Sequence, residues 1–169
     1  MGIIIAAFAT CGKSILGKKY RNVIDLESSN YKFDNDGLED IPTEMRKGTK
    51  REINKDWPNN YYKAINKAVN EYDIVLVQLT PIHFDYFDNN NIKYSIAYPN
   101  IDNWEEVEKR CINRGNNEAF IKRLKEVFIP YYEDCMRRKY EKLYILNKNE
   151  TLEDCLIRND IILKEGANE

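Results

Sequence analysis

The segment from Gly2 to Ser14, Gly-Ile-Ile-Ile-Ala-Ala-Phe-Ala-Thr-Cys-Gly-Lys-Ser, constrains the fold more than any other part of the chain. Three consecutive isoleucines followed by Ala6-Ala7-Phe8 read as a strand buried on both faces. A loop of small residues leads into Gly12-Lys13-Ser14, and Ile15-Leu16 then resume an apolar face. Strand, small-residue loop and helix start, in that order, make a cradle for phosphate. Loop amides surround the anionic oxygens, the lysine reaches the terminal phosphates, and the serine hydroxyl binds Mg2+. The usual pattern opens on a glycine five positions before Gly12. Ala7 stands there instead, and its methyl falls where the backbone is expected to bend tightly.

A chain of 169 residues is one domain of ordinary size, able to bury a real core. With 43% apolar and 32% charged residues it reads as globular rather than disordered. A net charge of -2 argues against a dedicated nucleic-acid binder but allows a local basic pocket for a small anion. No segment has the length of a membrane span, and the N-terminus lacks a charged-then-apolar export signal. The cysteines Cys11, Cys111, Cys135 and Cys155 are scattered, and with His83 as the single histidine they suggest no zinc set. Free thiols in a reducing cytoplasm are the simple account. Cys11 reads as a small residue that fits the loop, with oxidation as the alternative.

Strand-like and helix-like runs alternate along the chain. Val23-Ile24-Asp25 forms the centre of a second short strand. A helix starts near Asp56, a suitable N-cap, with Pro58 in its first turn and Tyr61, Ile65, Ala68 and Tyr72 on one face. Asp73 to Leu79 is nearly all apolar, as a central parallel strand should be. Thr80-Pro81 starts a short helix, and Lys93 to Pro99 is the next strand. Residues 103 to 112 and 117 to about 139 read as helices, Glu141 to Leu146 as the last strand. Thr151 opens a final helix with Glu153 and Asp154 in its first turn. This alternation predicts an α/β fold with a parallel sheet of about five strands and helices on both faces. Residues 34–55 are polar and long for a loop, so they are expected to move on substrate binding or to form a solvated insertion.

Ile4 to Ala9 with Gly12-Lys13-Ser14, Val23 to Ser29, Asp56 to Tyr61 and Arg114-Gly115-Asn116-Asn117 together resemble the small P-loop kinases. These include nucleoside monophosphate kinases, shikimate kinase and gluconate kinase. The chain is most similar to short phage and prophage P-loop nucleotide kinase-like proteins. The resemblance spans residues 3 to about 125. It implies a three-layer P-loop NTPase fold over 1–169, with 34–55 as an acceptor-side insertion and 103–118 as a small helical lid. It also implies a transferase of cytoplasmic location, in the host cytoplasm if phage-encoded. ATP with Mg2+ would be the donor, and a small phosphorylated or hydroxylated molecule, a (deoxy)nucleoside monophosphate above all, the acceptor. Carried over, Ala9, Thr10, Cys11, Gly12, Lys13, Ser14 and Ile15 would bind the donor. Ser14 and Asp25 would serve the metal, with Asp25 alternatively near the acceptor hydroxyl. Glu27 would face the acceptor.

Arg110 and Arg114 are four apart and share a helical face. Gly115 gives the chain behind them freedom to turn, so the resemblance implies arginines that close over the transferring phosphoryl. Arg123 is a weaker candidate on the next helix. Lys18 and Lys19 read as helix surface, and Tyr61-Tyr62 and Tyr131-Tyr132 as core packing rather than base stacking. His83 reads as structural rather than as a base. The buried strand ends in Gln78-Leu79-Thr80, so the acidic residue usual in P-loop proteins at that place is missing, and Asp25 is the carboxylate available to replace it. This departure leaves a second expectation open: a P-loop module that binds nucleotide without transferring phosphate. Neither the acceptor, nor the choice of ATP over GTP, nor an oligomeric state is read from these residues.

Overall fold

The computed structural model describes residues 1–166. Five parallel strands form one sheet: β1 (Ile3–Ala7), β2 (Val23–Asp25), β3 (Ile74–Gln78), β4 (Ser95–Pro99) and β5 (Leu143–Leu146), in the order β2-β3-β1-β4-β5. β1 is central because its run of Ile and Ala can be covered on both faces. From Ile4 onward every residue of β1 is buried, and β4 is buried throughout. Successive side chains of a strand point to opposite faces, so this pattern means that both faces of the sheet are covered. Ile5, Leu76 and Ile96, on three adjoining strands, have no exposed surface, and each contributes about 1.5–3 kcal/mol of apolar burial.

Eight helices accompany the strands among the described residues: α1 (Lys13–Lys19), α2 (Ser29–Lys32), α3 (Thr43–Arg46), α4 (Asn59–Ala68), α5 (Pro81–Asn89), α6 (Trp104–Asn113), α7 (Glu118–Met136) and, after β5, α8 (Leu152–Arg158). α8 begins as its sequence suggests. Thr151 accepts from the Asp154 amide while the Asp154 carboxylate accepts from the Thr151 amide.

Two expectations need correction. Asp56 is not the cap of α4. The Asn54 side chain accepts from the Asp56 amide and the Asn54 carbonyl from that of Trp57, which makes a turn ahead of the helix. Pro58, after a cis peptide bond, takes the N-cap position. Nor is 34–55 without structure. A Phe33–Ile53 bridge and the Asp34 amide bonded to the Glu52 carbonyl close its base, and it contains α3. Its second half docks on the turn between α6 and α7. There Asn116 donates to the Glu44 carbonyl, Asn117 donates to the Lys47 carbonyl, and the Met45 sulfur would lie 2.9 Å from a Cβ at Gly115. No helix among the described residues is long and apolar enough to cross a membrane.

Candidate functional site

The strand order reverses direction at β1, between β3 and β4, and the carboxyl end of such a switch strand opens into a crevice. The Gly12-Lys13-Ser14 loop lies there. Ala7 is the last residue of β1, in register with Gln78 and Ala97, and so is not at a tight bend. The bends fall at Thr10 (φ 67°) and Gly12 (φ 100°). The Ala7 methyl is therefore accommodated as ordinary strand, while a β-branched Thr10 in the left-handed region carries backbone strain. Lys13 donates its Nζ proton to the Ala7 carbonyl at 3.0 Å, an arrangement that holds the ammonium across the loop.

A cavity of about 510 Å³ opens over this loop. Ala9, Thr10, Gly12, Lys13 and Ser14 line it, as do Asp25 and Glu27 from the end of β2 and Gln78 from the end of β3. Cys11 and Ile15 do not. The Cys11 side chain is buried, and burial pushes its thiol up to about 11; Ile15 is exposed on α1. The Thr10 hydroxyl is buried and has no hydrogen-bond partner among the described residues.

The two carboxylates differ. Asp25 Oδ1 is buried without a hydrogen-bond partner among the described residues. Burial raises its pKa above the usual range against the pull of Lys13, and Glu27 adds to the rise. Burial would raise Glu27 as well, but Lys47, Lys13 and hydrogen bonds from the Ser29 amide and hydroxyl outweigh it and hold Glu27 below its ordinary value. Gly17 makes this approach of α1 to β2 possible, since a Cβ there would sit 3.1 Å from the Asp25 Cβ.

A buried network ties β2 to β3 beside these carboxylates. The Tyr61 hydroxyl donates to the Leu26 carbonyl at 2.6 Å and accepts from the Gln78 amide at 3.1 Å. His83 Nε2 lies 3.1 Å from Gln78 Oε1, and its Nδ1 lies 3.0 Å from the Tyr62 hydroxyl. A neutral ring that donates from Nε2 and accepts at Nδ1 satisfies both. Burial, then the charge of Lys32, depresses the His83 pKa to about 4. His83 is thus a structural imidazole that orients Gln78, as its sequence context suggests.

The predicted arginine pair divides. Arg114, the C-cap of α6, lines the cavity and pairs with Glu44 at 2.5 Å. Arg110 does not line it. Glu106, one turn earlier on α6, captures its guanidinium at 2.5 Å; the other contacts are the Glu150 carbonyl at 3.0 Å and the Thr10 carbonyl at 3.4 Å. Arg110 is a strut that ties α6 and the β5–α8 connection to the loop backbone.

Arg123, Lys32, Lys47 and Arg51 were missed or underrated by sequence reasoning, and all four line the cavity. The basic run Lys47-Gly48-Thr49-Lys50-Arg51 inside a polar segment was the available signal. Tyr131 also lines the cavity, whereas Tyr132 packs against Tyr98.

No protein-family model matches the chain, and no curated protein matches it.

Proposed function

We propose that the protein transfers the terminal phosphoryl group of ATP to a small acceptor, with a (deoxy)nucleoside monophosphate as the expected acceptor class. One observation carries the reading. The Gly12-Lys13-Ser14 loop, at the carboxyl end of the central strand, shares a single cavity with two carboxylates and a set of cations, Arg114 among them.

The chemistry asks little covalent work of the protein. The bond from the γ-phosphorus to its bridging oxygen breaks, with the electron pair leaving on the diphosphate, and a new bond forms to an acceptor oxygen. Loop amides and Lys13 hold the donor phosphates. Arg114, on exchanging Glu44 for phosphoryl oxygens, meets charge that spreads over them in the transition state. Glu27, held ionised, accepts a hydrogen bond from the acceptor.

The residues fit Mg2+. The Ser14 hydroxyl and the unpartnered Asp25 oxygen are hard donors beside the loop, and this ion is commonly held by one or two carboxylates together with substrate phosphates. When bound, the ion would neutralise charge on the donor phosphates.

A second reading rests on Gln78. With an amide where an acid is usual and its oxygen occupied by His83, the loop would serve a binding module that turns nothing over. The test is calorimetric titration of ATP with Mg2+ into wild type and Lys13→Ala, followed by a coupled ADP-release assay with each monophosphate. Lys13→Ala is expected to abolish binding while circular dichroism is unchanged. Equal affinity in both proteins refutes the phosphate-loop reading. Binding without acceptor-dependent turnover selects the module.

A further inference from the structure

Of the six cations on the cavity wall, Lys47 and Arg114 make ion pairs among the described residues and Lys13, Lys32, Arg51 and Arg123 do not; Lys13 lies at the loop, where its charge acts on Asp25 and Glu27. Lys32, Arg51 and Arg123 all line the cavity, and none makes an ion pair among the described residues. Among the described residues Arg51 Nε is buried with no hydrogen-bond partner, and the one hydrogen bond of that guanidinium is a long 3.4 Å contact to Asn35. Its plane stacks over Phe33, with Cζ 4.0 Å from the ring centre, and the Lys32 ammonium lies 5.3 Å from the same ring. They are close enough to oppose one another. Burial, then Arg123 and Arg51, depresses Lys32, and no carboxylate restores it. Asp25 is governed by a different set, Lys13, Lys47 and Arg114. The cavity therefore holds two groups of cations, one at the loop around the carboxylates and one, Lys32, Arg51 and Arg123, that makes no ion pair among the described residues and feels a carboxylate only through the pull of Glu27 on Arg51.

Like charges gathered in a partly buried wall cost stability, and a chain keeps such an arrangement where a ligand supplies the missing anion. We infer that Lys32, Arg51 and Arg123 form a second anion site, separate from the loop, that takes a phosphomonoester dianion carried by the acceptor. The inference rests on the kinase reading for the word acceptor and narrows it: the second substrate is already phosphorylated and is not a neutral sugar or alcohol. Arg51 is held over Phe33, and apart from the long Asn35 contact its guanidinium has no partner among the described residues, so its terminal nitrogens can turn to phosphate oxygens. Lys32 and Arg123 add charge to it.

The test separates this site from the loop. Wild type, Arg51→Gln and Arg123→Gln are loaded with an ATP analogue carrying a β,γ-imido bridge. They are then titrated calorimetrically with the four deoxynucleoside monophosphates, their nucleosides and inorganic phosphate. At least one phosphate-bearing probe is expected to bind the loaded wild type, with its nucleoside about 100-fold weaker. Each variant is expected to weaken it by about 10- to 100-fold, the range of a lost charged hydrogen bond, while analogue affinity stays within about twofold. Each variant should also melt no lower than wild type without phosphate, because it removes repulsion, and should lose the phosphate-induced rise in melting temperature. The inference is overturned if no phosphate-bearing probe binds, if nucleosides bind as well as monophosphates, or if the variants bind like wild type. Failure of the analogue to bind refutes the kinase reading instead. Inorganic phosphate titrated into the three ligand-free proteins then decides the second site alone.

Discussion

Acidification from pH 7.5 to 5 should destabilise the protein through one side chain, His83. Unfolded, an imidazole takes its proton near 6.5; in the fold, burial and Lys32 depress the value to about 4. Between those values the unfolded chain binds more protons, so lowering the pH favours unfolding. The full stabilisation is present above 6.5 and is lost as pH falls toward 4. A tenfold change in proton affinity is worth about 1.4 kcal/mol, so the complete effect is about 3 kcal/mol, of which about 2 kcal/mol is lost by pH 5. His83 is the single histidine, and the carboxylates that ion pairs and hydrogen bonds hold ionised in the fold titrate lower. Asp25, which burial raises, takes up its proton more readily in the fold and opposes this trend, so the difference between wild type and a variant without the ring isolates His83. Urea denaturation at half-unit pH steps measures it, with His83→Phe as the comparison. The variant loses hydrogen bonds to Gln78 and Tyr62 and should be less stable at every pH, but it should not share the wild-type fall in stability on acidification. An equal slope in wild type and His83→Phe would refute the assignment of a neutral, doubly bonded imidazole beside Gln78.

Arg110→Ala should lower stability by about 1–3 kcal/mol, because it leaves the Glu106 carboxylate with the Asn149 amide and no cation, and frees the Thr10 and Glu150 carbonyls; Arg114→Ala should leave the melting temperature nearly unchanged and cut kcat by about 100-fold or more. Comparing melting curves with turnover separates strut from catalytic group. Asp25→Asn should raise thermal stability at neutral pH, since it removes a carboxylate that burial disfavours, while it lowers turnover at every Mg2+ concentration; equal turnover would remove Asp25 from the chemistry. Tyr61→Phe should cost about 2–4 kcal/mol in urea denaturation, because two backbone groups, Leu26 C=O and Gln78 N–H, lose their hydroxyl partner in the core.

The sheet was legible in the sequence because parallel strands buried on both faces leave nearly unbroken apolar runs, and β1 and β3 are such runs. The loop was legible because its residues are contiguous. The start of α8 was legible because capping is local. What failed was whatever depends on where distant segments meet. The four-residue spacing of Arg110 and Arg114 places both on one helix face, yet α6 ends at Asn113. Arg114, beyond that end, turns to Glu44, while Glu106, four residues before Arg110, captures it. The i, i+4 pair that decided this was itself in the sequence. Beyond the basic run that holds Arg51, nothing in the sequence joins Lys32, Arg51 and Arg123, for they come from three separate segments that come together only when the path of 34–55 is known. Ala7 misled because motif spacing marks a residue's number but not its φ.

The loop's clamp has a consequence for the order in which the protein is made. The amide of Leu152 donates to the Cys11 carbonyl at 2.7 Å, and Arg110 grips both the Thr10 and the Glu150 carbonyls. The loop leaves the ribosome early and Arg110 follows with α6, but the Glu150 carbonyl and the Leu152 amide that complete the clamp emerge only after β5. Until then the nascent chain carries the loop sequence without all the contacts that fix its shape. A chain cut ahead of Leu152 lacks the amide that holds the Cys11 carbonyl, so the shape of this early loop depends on a helix far along the sequence.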